Sequence, residues 1–275
     1  MIRSAASALG AATRNAGRQS LTKCYFLFRQ APADLSNLFS GKSLLVEVES
    51  PVAKMFIGHF AVGFAAKRFA PRASLGWLLA APMFLDLIWP LFLLAGLEAV
   101  RIDPGNTAFT PLDFVSYPWS HSLLMALIWA ALFAGLYHWR TRYLPGSIAI
   151  GLGVASHWLL DFVSHGRDMP LAPGVATKVG LGLWNHVAAT VTVELAMLTI
   201  GVALYVSATR AAIRAGSLGF WAFLALLGLL YAGAARGAPP PNVTVLVVTA
   251  LSAWLAVWWA AWFDRNRVPR SEQSR

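Results

Sequence analysis

Long apolar runs recur along this chain after Met55, and they constrain its fold more than any other feature. A helix that crosses a bilayer needs about 20 predominantly apolar residues. Six runs reach that length, at 75–97, 119–139, 146–165, 181–206, 217–235 and 243–263. The chain is 57% hydrophobic and 12% charged, whereas soluble domains average about 25% charged residues. The sequence therefore predicts an all-α, polytopic transmembrane helix bundle with six full spans, preceded by a short N-terminal membrane helix at 56–66.

The first 54 residues differ in composition from this bundle, being basic and rich in Ser and Ala. They are typical either of a targeting leader or of a disordered or mis-called N-terminal extension, with translation starting at Met55. We favour the second interpretation, because the basic residues before Met55 would lie on the wrong side of the membrane if the first helix crosses it. The predicted domains are then the extension 1–54, a single membrane helix-bundle domain at 55–265 and a basic cytoplasmic tail at 266–275.

Basic residues alternate between the two sides of the predicted bundle. One side carries Lys67, Arg68, Arg72, Arg140, Arg142, Arg210, Arg214, Arg265, Arg267, Arg270 and Arg275. The other side carries Arg101, Arg167, Lys178 and Arg236. The richer side is predicted to be cytoplasmic, which also places the C-terminus in the cytoplasm. The net charge of +10 is scattered between apolar segments, which indicates contact with anionic membrane lipids and gives no sign of nucleic-acid binding.

Three polar residues interrupt the apolar run 146–165. His157, Asp161 and His165 recur every four residues, and a step of four turns a helix by only about 40° from a full circle, so the three side chains share one side. A carboxylate inside the hydrocarbon costs about 2.5–3.5 kcal/mol on insertion scales, and such residues are usually functional. Two imidazoles and a carboxylate on one face are typical of a metal site or a proton relay.

Further polar residues fall in the same half of the predicted bundle. With the Arg-rich connections inside, His121 lies near the outer end of its helix, as does His59 if the first helix crosses. Asp86 and Glu194 lie about 16 Å and about 20 Å deep, at ~1.5 Å per residue. Since charged residues in membrane helices normally face the bundle interior, these side chains are expected to converge on one cavity.

This convergence predicts a site for one or two divalent metal ions. The predicted metal ligands are His59, His121, His157, Asp161 and His165. Asp86 and Glu194 are the predicted catalytic residues, as general base or as partners of the ligands. Neutral imidazole with carboxylate suits Zn²⁺, and an incomplete protein shell leaves a position for water. The alternative for the same residues is a buried hydrogen-bonded network without metal.

Several short motifs in this order resemble a known family. They are Met55-Phe-Ile-Gly-His59, Phe84-Leu-Asp86, Ser120-His121-Ser122, Ser156-His157-x-x-x-Asp161 and Ser164-His165. Together they resemble the LexA-binding, inner-membrane-associated hydrolase family, also described as membrane-bound metal-dependent hydrolases. The resemblance covers roughly 55–194 well and the last two runs loosely. It implies an integral protein of the inner (plasma) membrane with a metal-dependent hydrolytic site at the matching histidines and aspartates, and it implies a start near Met55.

Three functions are compatible with these features. The first is a metal-dependent hydrolase whose substrate is a lipid or a lipid-linked phosphoester, reached from the outer half of the bilayer. The second is a transporter that uses the same residues to pass protons or metal ions. The third is a membrane protein without enzymatic activity, in which the polar core sets helix packing. The opposite halves of two helices, at 148–155 and 198–206, are almost wholly apolar, which favours a one-sided cavity and hence the hydrolase.

Overall fold

The computed structural model describes residues 57–236 and 238–270, which fold mainly into α-helices. The helices are α1 (Ile57–Ala66), α2 (Leu75–Ala80), α3 (Phe84–Leu94), α4 (Pro118–His121), α5 (Leu123–Thr141), α6 (Leu144–Ser164), α7 (Val187–Ala208), α8 (Arg214–Arg236), α9 (Val243–Leu251) and α10 (Ala253–Arg265). A short 3₁₀ helix, Leu183–Asn185, precedes α7. The strands are β1 (Ala99–Ile102), β2 (Leu112–Ser116), β3 (Met169–Pro170), β4 (Lys178–Val179), β5 (Thr209–Ala211) and β6 (Arg267–Pro269). They pair antiparallel in sequence order, as β1 with β2, β3 with β4 and β5 with β6.

Five helical segments within the described residues are long and apolar enough to cross a membrane. They are Leu123–Thr141, Leu144–Ser164, Val187–Ala208, Arg214–Gly233 and Val243–Arg265, the last comprising α9 and α10. Two shorter apolar helices, α1 and α3, accompany them. The predicted class, a polytopic membrane helix bundle, is therefore confirmed.

The apolar run 75–97, expected as one span, is instead two helices joined by a turn at residues 81–83. Pro82 stands in that turn, and it has no backbone N–H to continue the helical hydrogen bonds. The Met83 N–H still bonds to the Leu79 carbonyl oxygen, and the Leu87 N–H bonds to that of Met83. The break therefore affects mainly the peptide groups around Pro82, and it leaves the Pro82 carbonyl available to another helix.

The predicted span 119–139 also begins in two pieces. His121 ends the single-turn helix α4, and Ser122 then adopts extended backbone and caps α5 by accepting a hydrogen bond from the Met125 N–H. A serine at this position satisfies a backbone donor that has no partner inside the helix. Because α4 is separate from α5, the His121 side chain can turn toward the bundle interior.

Two of the glycines show how closely the helices approach one another. Gly201 of α7 meets the backbone of α1 at Ala61, where an added Cβ would overlap main-chain atoms. Gly153 of α6 lies against the 81–83 turn, and an added Cβ would come 2.9 Å from the Cβ of Ala81. Small residues of this kind let membrane helices approach closely. The contact at Gly153 holds α6 against the carbonyl that the turn exposes.

One end of the bundle contains a buried ion pair between Lys67 and Asp264, which we call the Lys67–Asp264 pair. Lys67 Nζ lies 2.6 Å from Asp264 Oδ2 and also donates to the Ala73 carbonyl at 2.8 Å. The carboxylate accepts a further bond from the Leu75 N–H at 2.9 Å and one from the Tyr205 hydroxyl at 2.9 Å. The pair thus joins the end of α1 to the last helix through a set of satisfied hydrogen bonds.

The C-terminal segment continues beyond α10 as strand β6, which pairs with β5. Arg267 of β6 lies over the rings of Tyr205 and Phe220 and bonds to Thr209 Oγ1. These contacts hold part of the predicted tail, residues 267–269, against the bundle. The predicted extension at 1–54 and the last five residues of the tail lie outside the described residues.

Candidate metal centre

Five predicted site residues converge inside the bundle, and we call them the His/Asp cluster. They are His59 of α1, Asp86 of α3, His121 of α4, and His157 and Asp161 of α6. All except Asp86 are buried, and the Asp86 side chain is 36% exposed. Four separate helices therefore supply one constellation, and one of its carboxylates is open to the surroundings.

Asp161 is the residue that the three imidazoles share. Its Oδ2 lies 3.0 Å from His157 Nε2 and 3.8 Å from His121 Nε2, while its Oδ1 lies 3.4 Å from His59 Nε2. His59 and His157 stand with their ring centroids 4.2 Å apart. One ligand atom from each of His59, His157 and Asp161 falls within 4.8 Å of the others, which is a spacing that could hold a metal ion.

Asp86 forms a second group with two of the same histidines. Its Oδ1 lies 3.4 Å from His121 Nε2 and 3.9 Å from His157 Nε2. The ligand atoms of Asp86, His121 and His157 also lie within 4.8 Å of one another. Since each histidine offers one nitrogen to the site, His157 can serve only one ion, so the two groups are overlapping halves of a single centre.

The orientation of His157 is fixed by the turn at 81–83. Its Nδ1 lies 2.7 Å from the Pro82 carbonyl oxygen, and a carbonyl oxygen can only accept, so Nδ1 carries the proton. Nε2 then has its lone pair directed at the two aspartates when the ring is neutral. A metal-ligating histidine almost always donates its other ring N–H to an oxygen in this way.

His121 is oriented by its own neighbour in the sequence. Its Nδ1 lies 2.6 Å from Ser120 Oγ, and that hydroxyl donates to Glu98 Oε2 at 2.7 Å. Because the Ser120 proton is committed to Glu98, the hydroxyl oxygen accepts from His121 Nδ1–H. The His121 Nε2 lone pair therefore faces the aspartates, as that of His157 does.

His59 has no such support among the described residues. Neither of its ring nitrogens has a hydrogen-bond partner there, although the residue is only 1% exposed. His157 Nε2 likewise lacks a hydrogen bond of good geometry to any described residue. A buried polar atom without a partner costs about 1–3 kcal/mol. Unpartnered imidazole nitrogens beside two carboxylates are the donor set that a divalent cation would satisfy.

The charges of the cluster also favour a bound cation. Within the described part of the chain, the ion-pair partners of Asp86 and Asp161 are histidines, with no Lys or Arg among them. Three neutral imidazoles and two carboxylates would leave two negative charges in a largely buried site, which is costly without compensation. A single divalent cation balances that charge.

The structure places the other two predicted site residues outside both groups. His165 ends α6, and its Nδ1 lies 3.2 Å from Asp168 Oδ2 and 3.3 Å from the Tyr117 hydroxyl. Its ring is enclosed by Trp184 and Phe114, with centroids 4.1 and 4.8 Å away. Burial, with the nearby negative charge of Asp168 as the second cause, holds the pKa of Tyr117 well above its ordinary value, so that hydroxyl keeps its proton.

Glu194 is fully buried on α7. It interacts with Tyr231 of α8, and it is not among the residues of either candidate metal group. The prediction that Glu194 is catalytic stays a prediction.

Two contributors to the site were not recognised in the sequence. Glu98 lies between the predicted spans 75–97 and 119–139, and Pro82 acts through a main-chain carbonyl that no residue pattern reveals. The Ser120-His121 dipeptide was the available signal for the first, because a hydroxyl beside a buried imidazole needs an acceptor of its own.

Searches with this chain find no matching family model, no matching curated protein and no matching solved structure. The chain is a multi-span membrane protein with buried His/Asp groups that could hold a metal ion.

Proposed function

We propose that the chain is a metal-dependent hydrolase of the inner membrane, as its resemblance to the inner-membrane-associated hydrolases implies. The distribution of basic residues supports a cytoplasmic C-terminus. The observation that carries the proposal is the set of inward-facing imidazole nitrogens around two aspartates that no Lys or Arg of the described chain pairs with. Nitrogen and carboxylate ligands of this kind favour Zn²⁺.

His59, His157 and Asp161 would hold the ion, with His121 and Asp86 completing or flanking its shell. A divalent ion bound by an incomplete protein shell supplies Lewis acidity and an activated water near neutral pH. Asp86 is the exposed member of the cluster, so it is the carboxylate placed to meet water or substrate. Its role as general base follows from that accessibility.

The interior beyond the cluster supports hydrolysis over ion transport. Phe60 and Phe64 of α1 are fully buried, and they lie between His59 and Lys67 in the helix. Phe64 packs against Phe220 and Phe223, with ring centroids 6.1 and 6.2 Å away. These packed rings are apolar, and they disfavour the passage of an ion between the cluster and the Lys67–Asp264 pair. This supports a cluster that opens to one side.

The substrate class follows from the position of the site. The cluster lies among helices whose outer faces carry large exposed apolar side chains, and such faces are covered by lipid. A substrate that reaches Asp86 within this environment is a lipid or a lipid-linked phosphoester. Membrane lipids are accordingly its expected partners.

Metal content of the purified protein tests the proposal most directly. We expect about one equivalent of Zn²⁺ per chain after purification in mild detergent. Substitutions His157→Gln and Asp161→Asn should each remove most of it. His186→Gln is the matched control, because His186 is exposed and belongs to neither group. Metal-free wild-type protein that also fails to take up Zn²⁺, Mn²⁺ or Fe²⁺ on dialysis would overturn the proposal.

Hydrolysis is tested in vesicles that contain long-chain phosphatidic acid or a polyprenyl diphosphate. Release of phosphate should require the metal, should be lost in Asp86→Asn and should be unchanged in His186→Gln. Movement of protons or Zn²⁺ across sealed vesicles without any hydrolysis would instead favour a transporter.

A further inference from the structure

Glu98 is a buried carboxylate outside the metal-ligand groups, and the hydrogen bonds of its side chain to the described residues go to one short stretch of chain. Its Oε1 accepts from the backbone N–H of Trp119 at 2.8 Å and of Ser120 at 2.7 Å. Its Oε2 accepts from the Ser120 hydroxyl at 2.7 Å. Glu98 is 5% exposed and Ser120 is fully buried. The carboxylate thus accepts hydrogen bonds from the two residues that immediately precede His121.

The local backbone explains how Glu98 reaches that position. Helix α3 ends near Leu94, and Gly96 then turns the chain with φ +68, a left-handed conformation that glycine adopts readily. The Leu97 and Glu98 N–H groups both bond to the Phe92 carbonyl oxygen. Glu98 is thereby held at the exit of the same helix that carries Asp86, and it contacts the first turn of α4, which carries His121.

The direction of the hydrogen bonds determines which nitrogen of His121 faces the cluster. Glu98 accepts the Ser120 hydroxyl proton, so Ser120 Oγ can only accept from its other neighbour, His121 Nδ1 at 2.6 Å. Nδ1 therefore carries the proton and Nε2 keeps its lone pair, 3.4 Å from Asp86 Oδ1 and 3.8 Å from Asp161 Oδ2. Without the negative charge of Glu98, the hydroxyl could rotate and donate to His121 instead.

We infer that Glu98 is a positioning residue of the metal centre, which acts through Ser120 to fix the tautomer of His121 and to strengthen it as a ligand. The hydrogen-bonded series Glu98–Ser120–His121 takes the place of the direct carboxylate–histidine contact found around many metal ions. The inference rests on the proposed metal site, and it adds a residue that does not touch the ion.

Substitution of Glu98 by Gln is the decisive test, because the amide keeps the size of the side chain and an oxygen for the two backbone N–H groups. The amide NH₂ would donate to Ser120 Oγ and turn the hydroxyl proton toward His121 Nδ1. Nδ1 would then accept, and the single ring proton of neutral His121 would move to Nε2. The protein is loaded with Co²⁺ in place of the native metal, and both the Co²⁺ affinity and the visible absorption of the bound ion are measured.

We expect Glu98→Gln to weaken Co²⁺ binding about 10–100-fold, as for other partners of metal ligands, and to change the visible band through loss of a nitrogen ligand. Ser120→Ala breaks the same chain one step later and should change the band in the same direction. The matched control is Asp113→Asn, an acid-to-amide change in the same hairpin that affects only the exposed Arg101–Asp113 pair. It should leave both measurements unchanged.

Two outcomes separate this inference from the proposed function. If wild-type protein binds no Co²⁺ or Zn²⁺, the metal site itself is wrong and the inference is overturned with it. If wild-type protein binds Co²⁺ but Glu98→Gln matches it in affinity and spectrum, the metal site stands and the role of Glu98 is wrong. A folded Glu98→Gln variant that loses affinity without any spectral change would mark Glu98 as merely structural, which also overturns the inference.

Discussion

The Lys67–Asp264 pair and the His/Asp cluster are both buried polar centres built from distant parts of the chain, yet they are organised in opposite ways. The pair contains one charge of each sign, and its members have good hydrogen bonds to main-chain or hydroxyl groups. The cluster contains two carboxylates facing imidazoles, and several of its nitrogens lack a hydrogen bond of good geometry to any described residue. Satisfied polar networks stabilise a fold, whereas unsatisfied ones are typical of binding sites.

The largest expected effect is at the pair. Substitution Lys67→Met should destabilise the protein by about 3–5 kcal/mol, because it leaves the Asp264 carboxylate buried without its cation. Thermal unfolding in detergent measures the loss. The double variant Lys67→Met/Asp264→Asn should recover part of the stability. A single variant as stable as wild type would show that the pair is not the structural centre described above.

The next effect belongs to the cluster and depends on metal. Free Zn²⁺ at 100 times its Kd should stabilise the wild-type protein by about 2.7 kcal/mol through linkage, which for a chain of this size raises the Tm by about 5–10 °C. EDTA should remove the shift, and Asp161→Asn should abolish it. An equal shift in Asp161→Asn would show that Zn²⁺ stabilises the protein without binding at the His/Asp cluster.

A third change tests the link between packing and the cluster. Gly153→Val places a branched side chain against Ala81 and Pro82, and overpacking of this kind costs about 1–3 kcal/mol. It should also separate His157 from the Pro82 carbonyl and weaken metal binding. Isothermal titration with Zn²⁺ measures the affinity. Unchanged affinity together with reduced stability would mean that the turn does not orient His157.

The smallest expected effect separates the two centres most clearly. In metal-free protein, Asp161→Asn should change the free energy of unfolding by less than ~1 kcal/mol or increase it, because it removes a buried carboxylate that lacks a cation. Thermal unfolding in EDTA checks this. A large loss of stability would indicate that Asp161 is paired with protonated histidines, as in a structural network without metal.

The sequence was sufficient to predict the helical membrane class and the residues of the cluster, because polar side chains in apolar helices are rare enough to stand out. It was not sufficient to predict the break at residues 81–83. Proline is tolerated in membrane helices, so Pro82 in an apolar run does not by itself indicate two helices. The consequence of the break, a free carbonyl that orients His157, is a main-chain property and has no residue signature.

The separation of His165 and Glu194 from the cluster has a similar cause. Spacing along a helix places His157, Asp161 and His165 on one side, but it does not show that α6 ends at Ser164. His165 therefore has extended backbone, and its side chain contacts Asp168 and not the cluster. Depth estimates placed Glu194 near the other residues, yet they carry no lateral information, and its helix directs it toward Tyr231.

The order of synthesis gives the Lys67–Asp264 pair a consequence for biogenesis. The two residues are 197 positions apart, and at ~5–20 residues per second the ribosome needs roughly 10–40 s to pass from one to the other. All five residues of the His/Asp cluster precede Asp264 by about 100 residues or more. The residues that could hold a metal ion are therefore complete before Asp264 is made. Lys67 lacks this partner until the last helix has been synthesised.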